Sequence, residues 1–155
     1  MLNTITKISL DVMKPAPHPI VVYAKLRDQN SRFIQVQVTS NGEPIVVDSS
    51  AQVYISGERI DKERKSFAGS VNDDGTLKLP IAAWLLGLVG STECDVTIVS
   101  GVSALTTFPF TLVVRDSYRV NGDESTEGDD EGTTVNPSYN YDIATLEEVQ
   151  KYLEG

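Results

Sequence analysis

Between Asp28 and Pro44 the chain reads DQNSRFIQVQVTSNGEP, and its apolar residues recur at every second position. Ile34, Val36 and Val38 point to one side, and Gln35, Gln37 and Thr39 to the other. A period of two over this length predicts a half-buried β-strand. The polar turn Asp28-Gln29-Asn30-Ser31 leads into it, and Asn41-Gly42 ends it. Both residues of that pair tolerate the positive φ of a type I′ turn, so a tight hairpin is expected. Pro44 then marks a sheet edge or a loop entry.

The same alternation recurs along the chain. Thr6 to Val12 sets Ile8, Leu10 and Val12 on one face. Pro15, Pro17 and Pro19 impose an extended connection unsuited to a central strand. Ile20 to Ala24 resumes as a short strand, and Ala51 to Ser56 turns Ala51, Val53 and Ile55 inward. Glu58 to Lys65 carries both signs of charge and reads as an exposed loop or hairpin end, with Phe67 to Val71 as the return strand. Asn72-Asp73-Asp74-Gly75 is a turn by composition, and Thr76 to Leu79 a short strand.

Pro80 suits the first position of a helix. Ile81, Trp84, Leu85 and Leu88 follow at helical spacing, and Gly87 and Gly90 stop the segment. One or two helical turns are expected to plug an end of the core. Cys94, Val96 and Ile98 face inward from the next strand. Val102 to Val114 predicts the longest strand, with Ala104, Thr106, Phe108, Phe110, Leu112 and Val114 on one face. Pro109 lies on the opposite face and points to an edge or a bulge.

Roughly seven short strands separated by turns predict an all-β fold, an antiparallel β-sandwich. Parallel-sheet strands tend to be apolar on both faces, whereas these alternate.

Charge divides the chain. The 155 residues carry a net −9, but residues 1–114 hold 10 Lys and Arg against 11 Asp and Glu. Residues 115–155 hold 3 against 11. The division expected is a near-neutral sandwich domain over 1–118, an acidic flexible linker over 119–138 and a short helix over 139–155. In the last segment Thr145 and Glu148 form a capping box, and Ile143, Leu146, Val149 and Leu153 trace one apolar stripe. A helix this short is marginal alone, so the stripe is the candidate oligomer interface.

Neither nucleic acid nor an anionic membrane is an expected partner, because phosphate recognition needs clustered Lys and Arg. No segment reads as a signal peptide or a membrane span, and synthesis in the cytoplasm is expected. The single cysteine excludes an intrachain disulfide.

Residues suited to catalysis are few, and no enzymatic activity is expected. His18, the sole histidine, sits in PAPHP, a setting that rarely orients a general base. Cys94 lies on an inward strand face and reads as a small core residue. The acidic runs at Asp73-Asp74-Gly75 and Asp123 to Gly132 do not follow the EF-hand pattern, and no zinc spacing is present. Trp84, in an apolar turn, reads as core rather than as a sugar platform. Tyr139 and Tyr141 are candidates for partner contact. No glycine-rich phosphate loop follows any strand, so no cofactor is expected.

Four stretches together resemble the N-terminal domain of phage baseplate upper proteins: DQNSRFIQVQVTSNGEPIVV, AQVYI, DDGTLKLPIAAWLLGLVGSTECDVTIV and LTTFPFTLVVRDS. Asp28 with Asn30-Ser31-Arg32, Asn41-Gly42 with Pro44, and Thr106-Thr107-Phe108-Pro109-Phe110 match in order, within residues 6–117. Two places depart from the family: Val47 to Ala51 before the middle strand, and the charged stretch Glu58 to Lys65. The resemblance implies an immunoglobulin-like sandwich and a structural role in the tail of a phage or prophage virion. It implies a connection between baseplate core and host-recognition proteins, and a homo-oligomer, commonly a trimer. The reading in another class is a carbohydrate-binding or adhesin-type sandwich.

Overall fold

Alternation does produce strands, and they assemble as two layers. The computed structural model describes residues 2–118. Among them are eleven strands: β1 (Thr4–Asp11), β2 (Val21–Lys25), β3 (Arg32–Ser40), β4 (Glu43–Pro44), β5 (Gln52–Glu58), β6 (Arg64–Ala68), β7 (Ser70–Val71), β8 (Leu77–Pro80), β9 (Gly90–Ser100), β10 (Ser103–Thr106) and β11 (Phe110–Arg115). One sheet runs β1-β3-β8-β7, with β4 also on β3; the other runs β2-β11-β9-β5-β6, with β10 also on β9. The two form the expected β-sandwich. The sheets are mixed rather than purely antiparallel as expected, because β1 runs parallel to β3 and β2 parallel to β11, pairings between distant segments that alternation does not encode.

The core is the inward half of each alternation. Leu10, Ile34, Val36, Val38, Leu77 and Leu79 come from the first sheet. Val22, Val53, Ile55, Cys94, Val96, Phe110 and Leu112 come from the second. Leu85 and Leu86 close one end from a single 3-10 turn, Ala83–Leu86. This is the predicted plug, one turn long. Pro80 does not open it but ends β8. Leu79 pairs with Ile34, and the Ile81 N–H donates to the Arg32 carbonyl, so the Pro80 nitrogen faces away from β3. On that side β7 has already ended, and no ladder bond is lost.

The turns follow local chemistry. Asn41 and Gly42 adopt φ of 52° and 88° between paired Ser40 and Glu43, a two-residue type I′ hairpin. Asn72 and Gly75 close their turn by backbone bonds to Thr76 and Asn72. The polar entry to β3 is held by Asp28, whose carboxylate accepts from Arg32 Nε at 2.8 Å.

Two further expectations are corrected. The return strand over Phe67 to Val71 is split at Gly69: β6 pairs with β5 in one sheet, and β7 with β8 in the other. The long strand over Val102 to Val114 is also split. Ala104, Thr106 and Phe108 are exposed, while Thr107 is buried with Phe110, Leu112 and Val114. Across Thr107-Phe108-Pro109 the inward parity changes, so one alternation becomes two strands on the same neighbour, β9.

The expected linker over 119–138 and helix over 139–155, with Tyr139, Tyr141 and the stripe Ile143, Leu146, Val149 and Leu153, lie outside the described residues.

Candidate interaction surfaces

Of the residues singled out for chemistry, Cys94, Asp74 and Trp84 are engaged in structure. Cys94 is 1% exposed and donates to the Thr92 carbonyl at 3.8 Å. Burial, then the neighbouring charges of Glu93 and Asp95, push its thiol up to about 12, leaving little thiolate at neutral pH. Asp74 accepts from the Thr76 N–H at 3.0 Å and the Thr76 hydroxyl at 2.6 Å. These bonds hold its carboxyl below the usual range. Among the described residues, no three His, Cys, Asp or Glu side chains are grouped to hold a metal. His18 is exposed in the proline-rich connection.

Trp84 is half-buried. The Arg59 guanidinium lies 4.0 Å from the centre of its ring, Lys65 Nζ lies 5.6 Å away, and the Phe67 ring is tilted against it at 6.1 Å. Arg59 also donates to the Trp84 carbonyl at 3.1 Å and pairs with Asp61 at 2.8 Å. The ring is therefore partly roofed by the β5–β6 hairpin. The arrangement is a clasp between that hairpin and the 3-10 turn.

Asp11 was not singled out in the sequence, yet it gathers more bonds than any residue above. Its Oδ1 accepts from the N–H groups of Met13, Lys14 and Asn41 at 2.7, 3.2 and 3.1 Å. Its Oδ2 accepts from the Thr39 hydroxyl and the Gly42 N–H, both at 2.8 Å. Its carbonyl accepts from Phe108 N–H at 2.9 Å, which links the first sheet to the junction of β10 and β11. Partial desolvation opposes the charge. The bonds from Gly42, Met13, Thr39 and Asn41 together outweigh it and hold the carboxyl well below the usual carboxylate range. The available signal was an Asp at the end of an alternating run, before a proline-rich connection, where its side chain bonds backbone N–H groups ahead.

Two surface features remain open. A hollow of about 490 Å³ on the outward face of the first sheet is lined by Ile5, Gln35, Asn72, Asp73, Asp74 and Lys78. Sheet edges form the second. β1 and β2 each pair on one side only among the described strands. Val21 and Tyr23 of β2, 38% and 62% exposed, give that edge an apolar outer face. The alternation of V-V-Y-A-K carried this signal, but which strand would lie at an edge was not legible from it.

No protein-family model matches the chain. No curated protein sequence matches it. Among solved structures, its fold is similar to the N-terminal domain of phage TP901-1 ORF48. The TM-score is 0.58 at 22% identity, covering 71% of this chain and 97% of that one. The likeness is one of fold.

Proposed function

We propose that this protein is a non-enzymatic structural component of a phage or prophage tail baseplate. It joins the baseplate core to host-recognition proteins through protein–protein assembly and resides in the virion. The carrying observation is the fold likeness to a phage protein's N-terminal domain, nearly all of which is covered. The ordered motifs Asn30-Ser31-Arg32, Asn41-Gly42 and Thr106-Thr107-Phe108 support the same reading. So does the engagement of Asp11, Asp74 and Cys94 in turns and core, which leaves them occupied by structure rather than poised for reaction. Neighbouring baseplate proteins dock on loops and sheet edges. The stripe Ile143, Leu146, Val149 and Leu153 joins copies of the chain, as a trimer.

The test is co-expression of the tagged full chain with the products of adjacent tail genes, with the solution mass of the purified chain read by light scattering. The expected result is capture of a tail protein, and a trimer that falls apart on Leu146→Glu. Failure to retain any tail protein overturns the baseplate reading. A mass unchanged by Leu146→Glu overturns the stripe.

A saccharide-binding or adhesin-type module is the second reading. It draws on the open hollow, whose Gln35, Asn72, Asp73 and Lys78 groups suit sugar hydroxyls. Glycan-array binding that Lys78→Ala abolishes would select it.

A further inference from the structure

The turn between β3 and β4 carries a chemically reactive pair. An asparagine followed by glycine is prone to lose its side-chain amide, because no side chain shields the glycine nitrogen. The chain has two such pairs, Asn41-Gly42 and Asn121-Gly122, and the second lies outside the described residues. Asn41 and Gly42 are both exposed. The side-chain amide of Asn41 makes no hydrogen bond among the described residues. A Cβ added at Gly42 would meet nothing within 4 Å, so water and hydroxide reach the turn freely. By sequence and exposure alone, Asn41 should deamidate readily.

That reaction begins at the Gly42 nitrogen. Hydroxide removes the amide proton, and the nitrogen anion attacks Asn41 Cγ. The new N–Cγ bond closes a five-membered succinimide ring. The Cγ–Nδ2 bond breaks, and the side-chain nitrogen leaves as ammonia with a proton from water, which restores the hydroxide. Water then opens one of the two ring carbonyls and leaves aspartate or isoaspartate at position 41. Nothing is oxidised or reduced, and no reagent beyond water is consumed.

We propose that Asn41-Gly42 is a latched deamidation site, and that the Asp11 carboxylate on the Gly42 N–H is the latch. Oδ2 of Asp11 accepts from Gly42 N–H at 2.8 Å, while Oδ1 accepts from Asn41 N–H at 3.1 Å. Charge opposes the first step. The nitrogen anion would form against a full negative charge, and a carboxylate is far too weak a base to take the amide proton itself. Geometry opposes the second. A type I′ turn directs the Gly42 nitrogen away from the Asn41 side chain. Ring closure needs rotation about the Asn41 Cα–C bond, which breaks the bond to Oδ2 and the pairing of Ser40 with Glu43. If the latch fails, the product sets a second carboxylate beside Asp11 and pushes the hairpin off the end of β1. The inference does not depend on a baseplate role.

The test incubates the purified full chain at neutral pH, then quenches and digests it with trypsin. Mass spectrometry counts aspartate and isoaspartate at position 41. Peptide 33–59 holds Asn41 as its sole asparagine, so Asn121 does not enter the count. The folded parent is expected to lose Asn41 more slowly than the same chain in urea, by roughly tenfold or more. Asp11→Asn, checked as folded by circular dichroism, is expected to speed the loss roughly ten- to a hundredfold, the change that losing one hydrogen bond to a charged group brings. Arg59→Ala weakens the fold at the 3-10 turn with Asp11 intact, and is expected to leave the rate unchanged. Amide hydrogen exchange needs no variant, since base-catalysed exchange passes through the same nitrogen anion. Corrected for intrinsic rates, Gly42 N–H is expected to exchange roughly tenfold or more slowly than Gly101 N–H, which has no acceptor among the described residues. Equal loss of Asn41 in the folded and urea-unfolded parent would overturn the latch. So would no acceleration by Asp11→Asn, an equal acceleration by Arg59→Ala, or exchange at Gly42 as fast as at Gly101.

Discussion

The Asp11 carboxylate at the end of β1 receives the Gly42 N–H at 2.8 Å, so the first strand holds a hairpin turn that lies 31 residues further along. That bond, with those from Met13, Thr39 and Asn41, makes the charged form of Asp11 the one that fits. In the unfolded chain the group takes up a proton near its ordinary value of 3.8; in the fold it does so only at markedly lower pH. Between those limits the unfolded state binds the extra proton, and acid favours unfolding. The stabilisation is complete above about pH 5 and is lost as the pH falls through the acid range. Asp11→Asn is therefore expected to lower the melting temperature at pH 7 and to flatten its fall between pH 5 and pH 2. Thermal melts across that range check both. An unaltered acid profile would mean that the carboxylate is not the anchor.

Thr107 and Val96 exchange two bonds at the junction of β10 and β11. Thr107 N–H donates to the Val96 carbonyl at 2.9 Å, and Val96 N–H donates to the Thr107 hydroxyl at 3.2 Å. A side-chain oxygen thus stands in for a missing ladder carbonyl, with both residues buried. Thr107→Val keeps the shape and orphans the Val96 N–H, a loss of about 1–3 kcal/mol. Thr107→Ser keeps the acceptor and should cost much less. Urea titrations of the two variants give the comparison.

The Arg59 clasp predicts a local change that the sole tryptophan can report. Arg59→Ala removes the nearer of two cations over Trp84 and the bond to its carbonyl, at a cost of about 1–2 kcal/mol. Arg59→Lys should recover little of it, because an ammonium cannot both cover the ring and span to Asp61. Fluorescence of Trp84 is expected to shift toward a wetter environment in both variants before the global transition.

Gly69 and Gly57 are unequal sites for alanine. A Cβ on Gly57 would meet Leu85 Cδ2 at 2.6 Å, the far end of a side chain. One on Gly69 would meet the Lys78 main-chain oxygen at 2.5 Å as well as Leu79. A side chain can swing and a ladder carbonyl cannot, so Gly57→Ala should cost about 1–3 kcal/mol and Gly69→Ala more. Chemical denaturation ranks them; the reverse order would contradict this account of the crossing between sheets.

Much of the sandwich was legible because period-two patterning is a direct image of a half-buried strand. Ile34, Val36 and Val38 are all buried, as are Val53 and Ile55, and Asn41-Gly42 sits in the turn that its backbone freedom allows. The misread places are those where a strand changes partner without losing its pattern. Phe67 to Val71 keeps an extended backbone while passing from one sheet to the other at Gly69. At Thr107 a hydroxyl replaces a backbone acceptor and parity shifts; Pro109 signalled an edge or a bulge there, but not that the strand would break in two. Pro80 was compatible with a helix start, and only the departure of β7 makes its place in a strand tolerable. For the interaction surfaces, burial patterns named inward residues well, but edge status depends on pairing between distant segments, which alternation does not encode.

The parallel pairing of β2 with β11 also sets an order of events during synthesis. Val22 finds its partner Leu112 only after the ribosome has released the last strand of the sandwich. At about 5–20 residues per second, the nascent β2 waits on the order of 5–20 s, with Val21 and Tyr23 exposed on neighbouring chains of the same polysome. Closure of this domain thus waits for the emergence of β11, and the interval before it is when a chaperone or a second nascent copy has its best access.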